Sequence, residues 1–158
     1  MKIYKTLILS MLILLTLIIS TACSHQEIEI DTSLLAQSLV SHNTYQDKLS
    51  PIGEKAFYAL YGIDEANDYL DDFQVYVSTG ATAEEVAVLT ATETSKAKTL
   101  GEAVNRRISA QIEGFENYVP KEVEKLMHPV LITKGKYVIL CVSNHNEKAD
   151  EIIGEFLK

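Results

Sequence analysis

Asp64, Asp68 and Asp72 recur at every fourth residue. On a helix that spacing sets three carboxylates on one face, the ligand type that a hard cation such as calcium takes. Glu65 and Asp71 make this the densest run of charge in the chain, but the ligand spacing and turn glycine of an EF-hand loop are missing. Ile63, Ala66, Leu70 and Phe73 trace an apolar stripe opposite the acids. The expectation is therefore the solvated side of an amphipathic helical turn, with no metal. Further on, Ser78-Thr-Gly-Ala-Thr82 brings the hydroxyls of Thr79 and Thr82 next to a candidate helix start. Backbone N–H groups at such a start hold anions. A plain turn between strands is the favoured reading. Arg106 and Arg107 are adjacent, so on a helix they point about 100° apart. Arg107 lies nearer the apolar stripe and is placed to pair with a carboxylate at a sheet edge.

Other chemistry is sparse. The seven glycines are scattered, so no P-loop or G-x-G-x-x-G occurs, and G-x-S-x-G and H-E-x-x-H are absent. His25, His42 and His145 lie in polar stretches and His128 precedes Pro129, which reads as surface histidine. Cys141 sits inside the apolar run Tyr137–Val142 and reads as a buried, inert thiol. Tyr58, Tyr61, Tyr69, Tyr76 and Tyr118 are numerous enough to line a groove, but most fall on apolar stripes and suit core packing. No catalytic residue, metal ligand or cofactor is assigned. Asp64, Asp68, Asp72, Arg107, Thr79 and Thr82 stand as a candidate binding surface.

The elements that must position these residues follow from periodicity. Thr32–Val40 carries the helical stripe Leu34, Leu35 and Leu39. Ser50-Pro51 has the form of an N-cap followed by proline at the first helical position, with Ile52, Ala56, Phe57 and Leu60 behind it and Gly62 at the end. Phe73–Ser78 alternates as a strand. Thr82-Ala-Glu-Glu85 matches a capping box, yet Val86–Thr92 is rich in β-branched residues, so the stretch is assigned to a strand closing a hairpin. Residues 95–118 form the clearest helix, with Ala97, Leu100, Val104, Ile108, Ile112 and Phe115 at spacings of three or four. Pro120 opens a short helical turn that Pro129 ends. Val130–Thr133 and Lys136–Val142 flank Lys134-Gly135 as a second hairpin, placed mid-sheet by its continuous apolar character. Asn146 caps a last helix on Ala149, Ile152, Ile153, Phe156 and Leu157. Hairpins without strand–helix–strand alternation imply the α+β class: an antiparallel sheet of about four strands packed with helices.

The chain ahead of this domain has a different composition. Met1-Lys-Ile-Tyr-Lys5 is basic, Leu7–Ile19 is an uncharged core of 13 residues, and Ser20-Thr-Ala22 supplies small residues before Cys23. That order is an export signal. The uncharged run Thr6–Ala22 has 17 residues, at the short end for a membrane-spanning helix. The remaining 136 residues keep 12 of the 14 Lys and Arg and all 22 Asp and Glu, a formal charge of −10 against −8 for the whole chain. An acidic domain of this size buries a real core and gives no electrostatic reason to hold nucleic acid.

Ser20-Thr-Ala-Cys23 resembles the lipobox of bacterial lipoproteins, in which the cysteine thiol receives a diacylglyceryl group and becomes the mature N-terminus. Ala22 fits that pattern, and Ser20 departs from its more usual leucine. The lipobox, Val75–Val88, Arg106/Arg107 with Ile112–Pro120, and Lys134–Ser143 together resemble a family of Gram-positive bacterial lipoproteins known as a domain of unknown function, over roughly residues 50–158. The resemblance implies a lipid anchor and a small C-terminal α+β domain, and it implies no reaction. The expected organisation is a signal peptide at 1–22, a tether at 23–31 and one domain at 32–158. The expected function is that of a membrane-anchored lipoprotein on the outer face of the cytoplasmic membrane. It would be held there through lipidated Cys23 and bind a protein or cell-wall partner without catalysis. The alternatives are a cell-envelope hydrolase or transferase, and a structural or assembly accessory. The hydrolase would need Asp64–Asp72, the 78–82 turn, Arg106/Arg107 and His128 to converge.

Overall fold

The computed structural model describes residues 28–158, so the signal segment and Cys23 lie outside the described residues. Helix α1 (Thr32–His42) leads into a two-residue strand β1 (Ser50–Pro51) and helix α2 (Glu54–Tyr61). Strands β2 (Leu70–Val77) and β3 (Glu85–Ala91) form a hairpin. A 3₁₀ turn, Thr94–Lys96, runs into the long helix α3 (Ala97–Phe115), followed by α4 (Pro120–Met127). Strands β4 (Val130–Lys134) and β5 (Tyr137–Val142) form the second hairpin, and α5 (Asn146–Phe156) closes the chain. The five strands make one antiparallel sheet in the order β1-β2-β3-β5-β4. The α+β class stands, with five strands in place of four.

Helices cover both faces of the sheet, and the core divides accordingly. Ala87, Leu89, Val138, Leu140 and Val142 face Phe57 and Tyr61 of α2, Leu100 and Val104 of α3, and Leu126 of α4. Val86, Val88, Ile139 and Cys141 face Leu35 and Leu39 of α1 and Ile152 and Ile153 of α5. Strands β3 and β5 are buried at every position, which is why their sequences read as near-continuous apolar runs and not as alternations. On the first face Phe57 stacks on Phe73 with ring centroids 4.1 Å apart and planes 3° apart. The second hairpin turns at Gly135, whose φ of +57° suits the first position of a two-residue loop.

Several local expectations change. Ser50-Pro51 does not start a helix. It pairs with Val77 and Tyr76 as a short edge strand, and the Ile52 N–H continues the pairing to Val75 O at 3.1 Å. Proline is tolerated there because an edge strand needs no outward donor. The helix begins three residues later, behind Gly53, and Gly62 ends it in the left-handed conformation as expected. The acidic run is no helical turn: residues 62–69 are a loop, and Leu70 already opens β2, three residues earlier than the alternation suggests. The segment Glu85–Ala91 is strand, so the capping-box pattern there starts no helix. Only β5 of the second hairpin lies inside the sheet, and β4 is an edge. The long helix ends at Phe115, ahead of residue 118. Asn146 is the first residue of α5, with no capping bond from its side chain; that group donates instead to the His128 carbonyl.

At the start of the domain, Asp31 caps α1 by accepting from the Leu34 N–H at 2.9 Å. Ile30 packs into the second core, and its N–H donates to Tyr137 Oη at 3.3 Å. Tyr137 Oη donates to Glu29 at 3.2 Å, and Lys136 pairs with the same carboxylate at 3.2 Å. Of the stretch expected as a tether, residues 29–31 therefore lie against the folded domain.

Candidate functional site

The strongest polar chemistry among the described residues gathers where β3 begins and β5 ends. Glu84 and Glu85 are both buried there, at 1% and 0% exposure. Consecutive residues of a strand point to opposite faces, so each acid needs its own partners. Glu85 accepts from Arg107 of α3, with Nη2–Oε2 at 2.8 Å and Nε–Oε2 at 3.1 Å. Tyr61 Oη donates to Glu85 Oε1 at 2.6 Å and Gln111 Nε2 donates to Oε2 at 3.0 Å. Burial, then the charge of Glu85, pushes the Tyr61 hydroxyl well above its ordinary pKa, so it serves as a donor throughout the physiological range.

Glu84 meets Lys125 of α4 at 3.2 Å, and Lys125 also meets Glu122 at 2.9 Å. The Glu84 carboxylate further accepts from the N–H groups of Gln46 and Asp47, at 2.9 and 3.0 Å, and from Thr82 Oγ1 at 3.1 Å. Burial pushes the Glu84 pKa up, but the two amides and Lys125 outweigh it and hold the carboxyl below its ordinary value. Glu122 accepts from the Ala83 N–H at 3.0 Å. Helix α4 is thereby fastened across the end of the sheet by buried ions, each compensated as a low-dielectric setting requires. Beside it lies an open cleft of about 250 Å³ lined by Lys121, Glu124, Lys125, His128, Ser143, Asn144 and Asn146. Two buried amide oxygens, Oε1 of Gln111 and Oδ1 of Asn146, have no hydrogen-bond partner among the described residues.

The candidate residues read from the sequence do not assemble into one site. Asp64 closes its own loop by accepting from the Ala66 N–H at 2.8 Å. Asp68 pairs with Lys96 at 3.1 Å, and Asp72 accepts from Thr32 Oγ1 at 3.1 Å, so the three acids share no face. Among the described residues no group of three His, Cys, Asp or Glu side chains is placed to hold a metal. The Thr79 N–H and hydroxyl both donate to Asp47, so the anion held at this turn is the chain's own carboxylate, as is the Glu84 carboxylate that takes the Thr82 hydroxyl. Arg107 does find a carboxylate, but at the start of an inner strand and not at the sheet edge. His128 and the 78–82 turn lie at the Glu85 end of the sheet, while Asp68 and Asp72 lie near the opposite end, so these groups do not converge. Tyr61 is core, Tyr58, Tyr69 and Tyr76 are half-buried against it, and Tyr118 is 78% exposed.

Glu84 and Glu85 were hidden in the sequence by their resemblance to a capping box. The available signal was two adjacent acids at the start of a strand that is otherwise apolar but for Thr90. Cys141 is buried as expected, and burial pushes its thiol pKa up despite hydrogen bonds with Tyr45, Ser143 and Asn43.

Fold and site together define a small α+β domain: an antiparallel sheet between helices, closed at one end by two buried ion-pair clusters. Residues 43–143 match the profile of the domain of unknown function DUF4358, and the chain belongs to that family. The match begins after α1 and ends before α5, so it spans the whole sheet and the helices of one face. Comparisons with curated proteins and with solved structures give no significant match.

Proposed function

We propose that the chain is a Gram-positive bacterial lipoprotein, exported by residues 1–22 and anchored through diacylglyceryl-modified Cys23 to the outer face of the cytoplasmic membrane. Its domain works there by binding a protein or a cell-wall polymer. The observation that carries the binding reading is the internal use of the reactive groups. The carboxylates of Glu84, Glu85 and Glu122 and the hydroxyls of Thr79 and Thr82 are all committed to partners within the chain. Chemistry that would otherwise suggest a catalyst builds the end of the domain. The anchor reading is supported by the basic start, the uncharged core and the Ala22-Cys23 junction. Two acyl chains, at about 0.8 kcal/mol per buried methylene, hold a protein on a bilayer where one would not.

Substituting Cys23→Ala tests the anchor. The expected result is an uncleaved or released chain lacking the diacylglyceryl mass, and unchanged mass with unchanged membrane retention refutes it. Crosslinking on intact cells tests the binding role: a specific wall polymer or membrane protein is expected on the domain, and recovery of nothing above background counts against it.

A further inference from the structure

The anchor's chain length and the docking of residues 29–31 together orient the domain. The sheet has two ends. One carries Tyr137, the Gly135 turn and the turn after Ala91, and the other carries Glu85, Val142 and the ion-paired helix α4. The incoming chain is fastened at the first end. Glu29 meets Lys136 and Tyr137, Ile30 packs half-buried against the core, and Asp31 caps α1. From Cys23 to Glu29 there are six peptide steps, which reach at most about 20–22 Å. Releasing the exposed Glu29–Lys136 pair would lengthen this by only about 3.5 Å, because Ile30 and the Asp31 cap hold the next residues.

The domain is longer than that leash. Strand β5 spans roughly 20 Å for its six residues, and α4 adds about one helix diameter, roughly 10 Å, at the far end. Turning α4 onto the bilayer would lift Glu29 about 30 Å from the surface, beyond what six residues cover. We infer that the α4 end, with exposed Tyr118 and Met127 and the cleft beside Lys125, is held off the bilayer and that the Gly135 end is the one nearer to it. The inference rests on the lipidated Cys23 of the proposed function.

Energy transfer to acceptor-labelled headgroups tests the orientation. Full-length lipidated protein is reconstituted in phosphatidylglycerol/phosphatidylcholine vesicles, with a donor on Lys134→Cys at the Gly135 end or on Ala81→Cys at the α4 end. Both positions are exposed, and buried Cys141 stays unlabelled. Transfer is expected to be markedly higher from 134 than from 81. Inserting about ten residues after Ser24, which adds roughly 33–36 Å of reach, is expected to shrink the difference. Equal transfer, or more from 81, with the original tether on membrane-bound protein of lipidated mass overturns the orientation alone. A chain without lipid mass that fails to bind vesicles overturns the anchor and the orientation with it.

Discussion

Glu84 and Glu85 are neighbours in the chain and meet different cations: Lys125 Nζ at 3.2 Å and Arg107 Nη2 at 2.8 Å. One strand thereby ties α3 and α4 to the same end of the sheet. Buried ion pairs add little net stability over apolar packing, but they are costly to break one partner at a time. Their consequence is positional: α4 is held at the sheet end by Lys125 on Glu84 and by the Ala83 N–H on Glu122.

Arg107→Ala is expected to cost about 3–5 kcal/mol, since it leaves the Glu85 carboxylate buried with only Tyr61 and Gln111 as donors. The double variant Glu85→Met with Arg107→Met should cost clearly less, because no charge is left uncompensated. Urea unfolding followed by circular dichroism measures both, and a single variant no less stable than the double one would refute the pairing argument.

Acid should unfold the domain partly through Glu84. Its pKa is held below the ordinary carboxylate value in the folded state, so the unfolded chain takes up the proton first as pH falls. The stabilisation is complete above the unfolded glutamate pKa, about 4.3, and is lost as pH falls through the lower folded value. Melting temperatures between neutral and strongly acidic pH should fall more steeply for the native chain than for Glu84→Gln. Parallel curves would show that Glu84 is not the sensor.

The Cys141 thiol should resist alkylation in the folded protein. It is buried and its pKa is raised, so the reactive thiolate is scarce and inaccessible. Mass spectrometry of the Cys141 peptide after iodoacetamide treatment should show modification in denaturant and little without it. Rapid native labelling would place the thiol at the surface.

A fragment confined to residues 43–143 should not stay soluble. It lacks α1 and α5, whose Leu35, Leu39, Ile152 and Ile153 cover Val86, Val88, Ile139 and Cys141. An apolar sheet face of that size left open promotes association. Sedimentation of the fragment beside residues 28–158 checks this, and a stable monomeric fragment would show that the flanking helices are dispensable for folding.

Much of the architecture was legible locally. The stripe of α3, the two hairpins, the glycine stops at Gly62 and Gly135 and the burial of Cys141 all follow from periodicity and turn chemistry that a few neighbouring residues express. Ser50-Pro51 shows the boundary of that information. The same two residues suit a helix start or an edge strand, and only the register with Val77 and Tyr76 decides between them. Asp64, Asp68 and Asp72 show it again, because their regular spacing carries meaning only on a helix, and here the first two lie in a loop while the pairing of Leu70 with Ala91 draws the third into the sheet. Glu84 and Glu85 resemble a cap until their partners arrive from 41 and 22 residues away. What the sequence determined by itself was the class, most of the elements and the distinct character of the first 23 residues. The tertiary structure decided the fifth strand, the compensation of the buried acids and the end of the sheet at which the chain enters, because each depends on groups brought together only when the sheet closes.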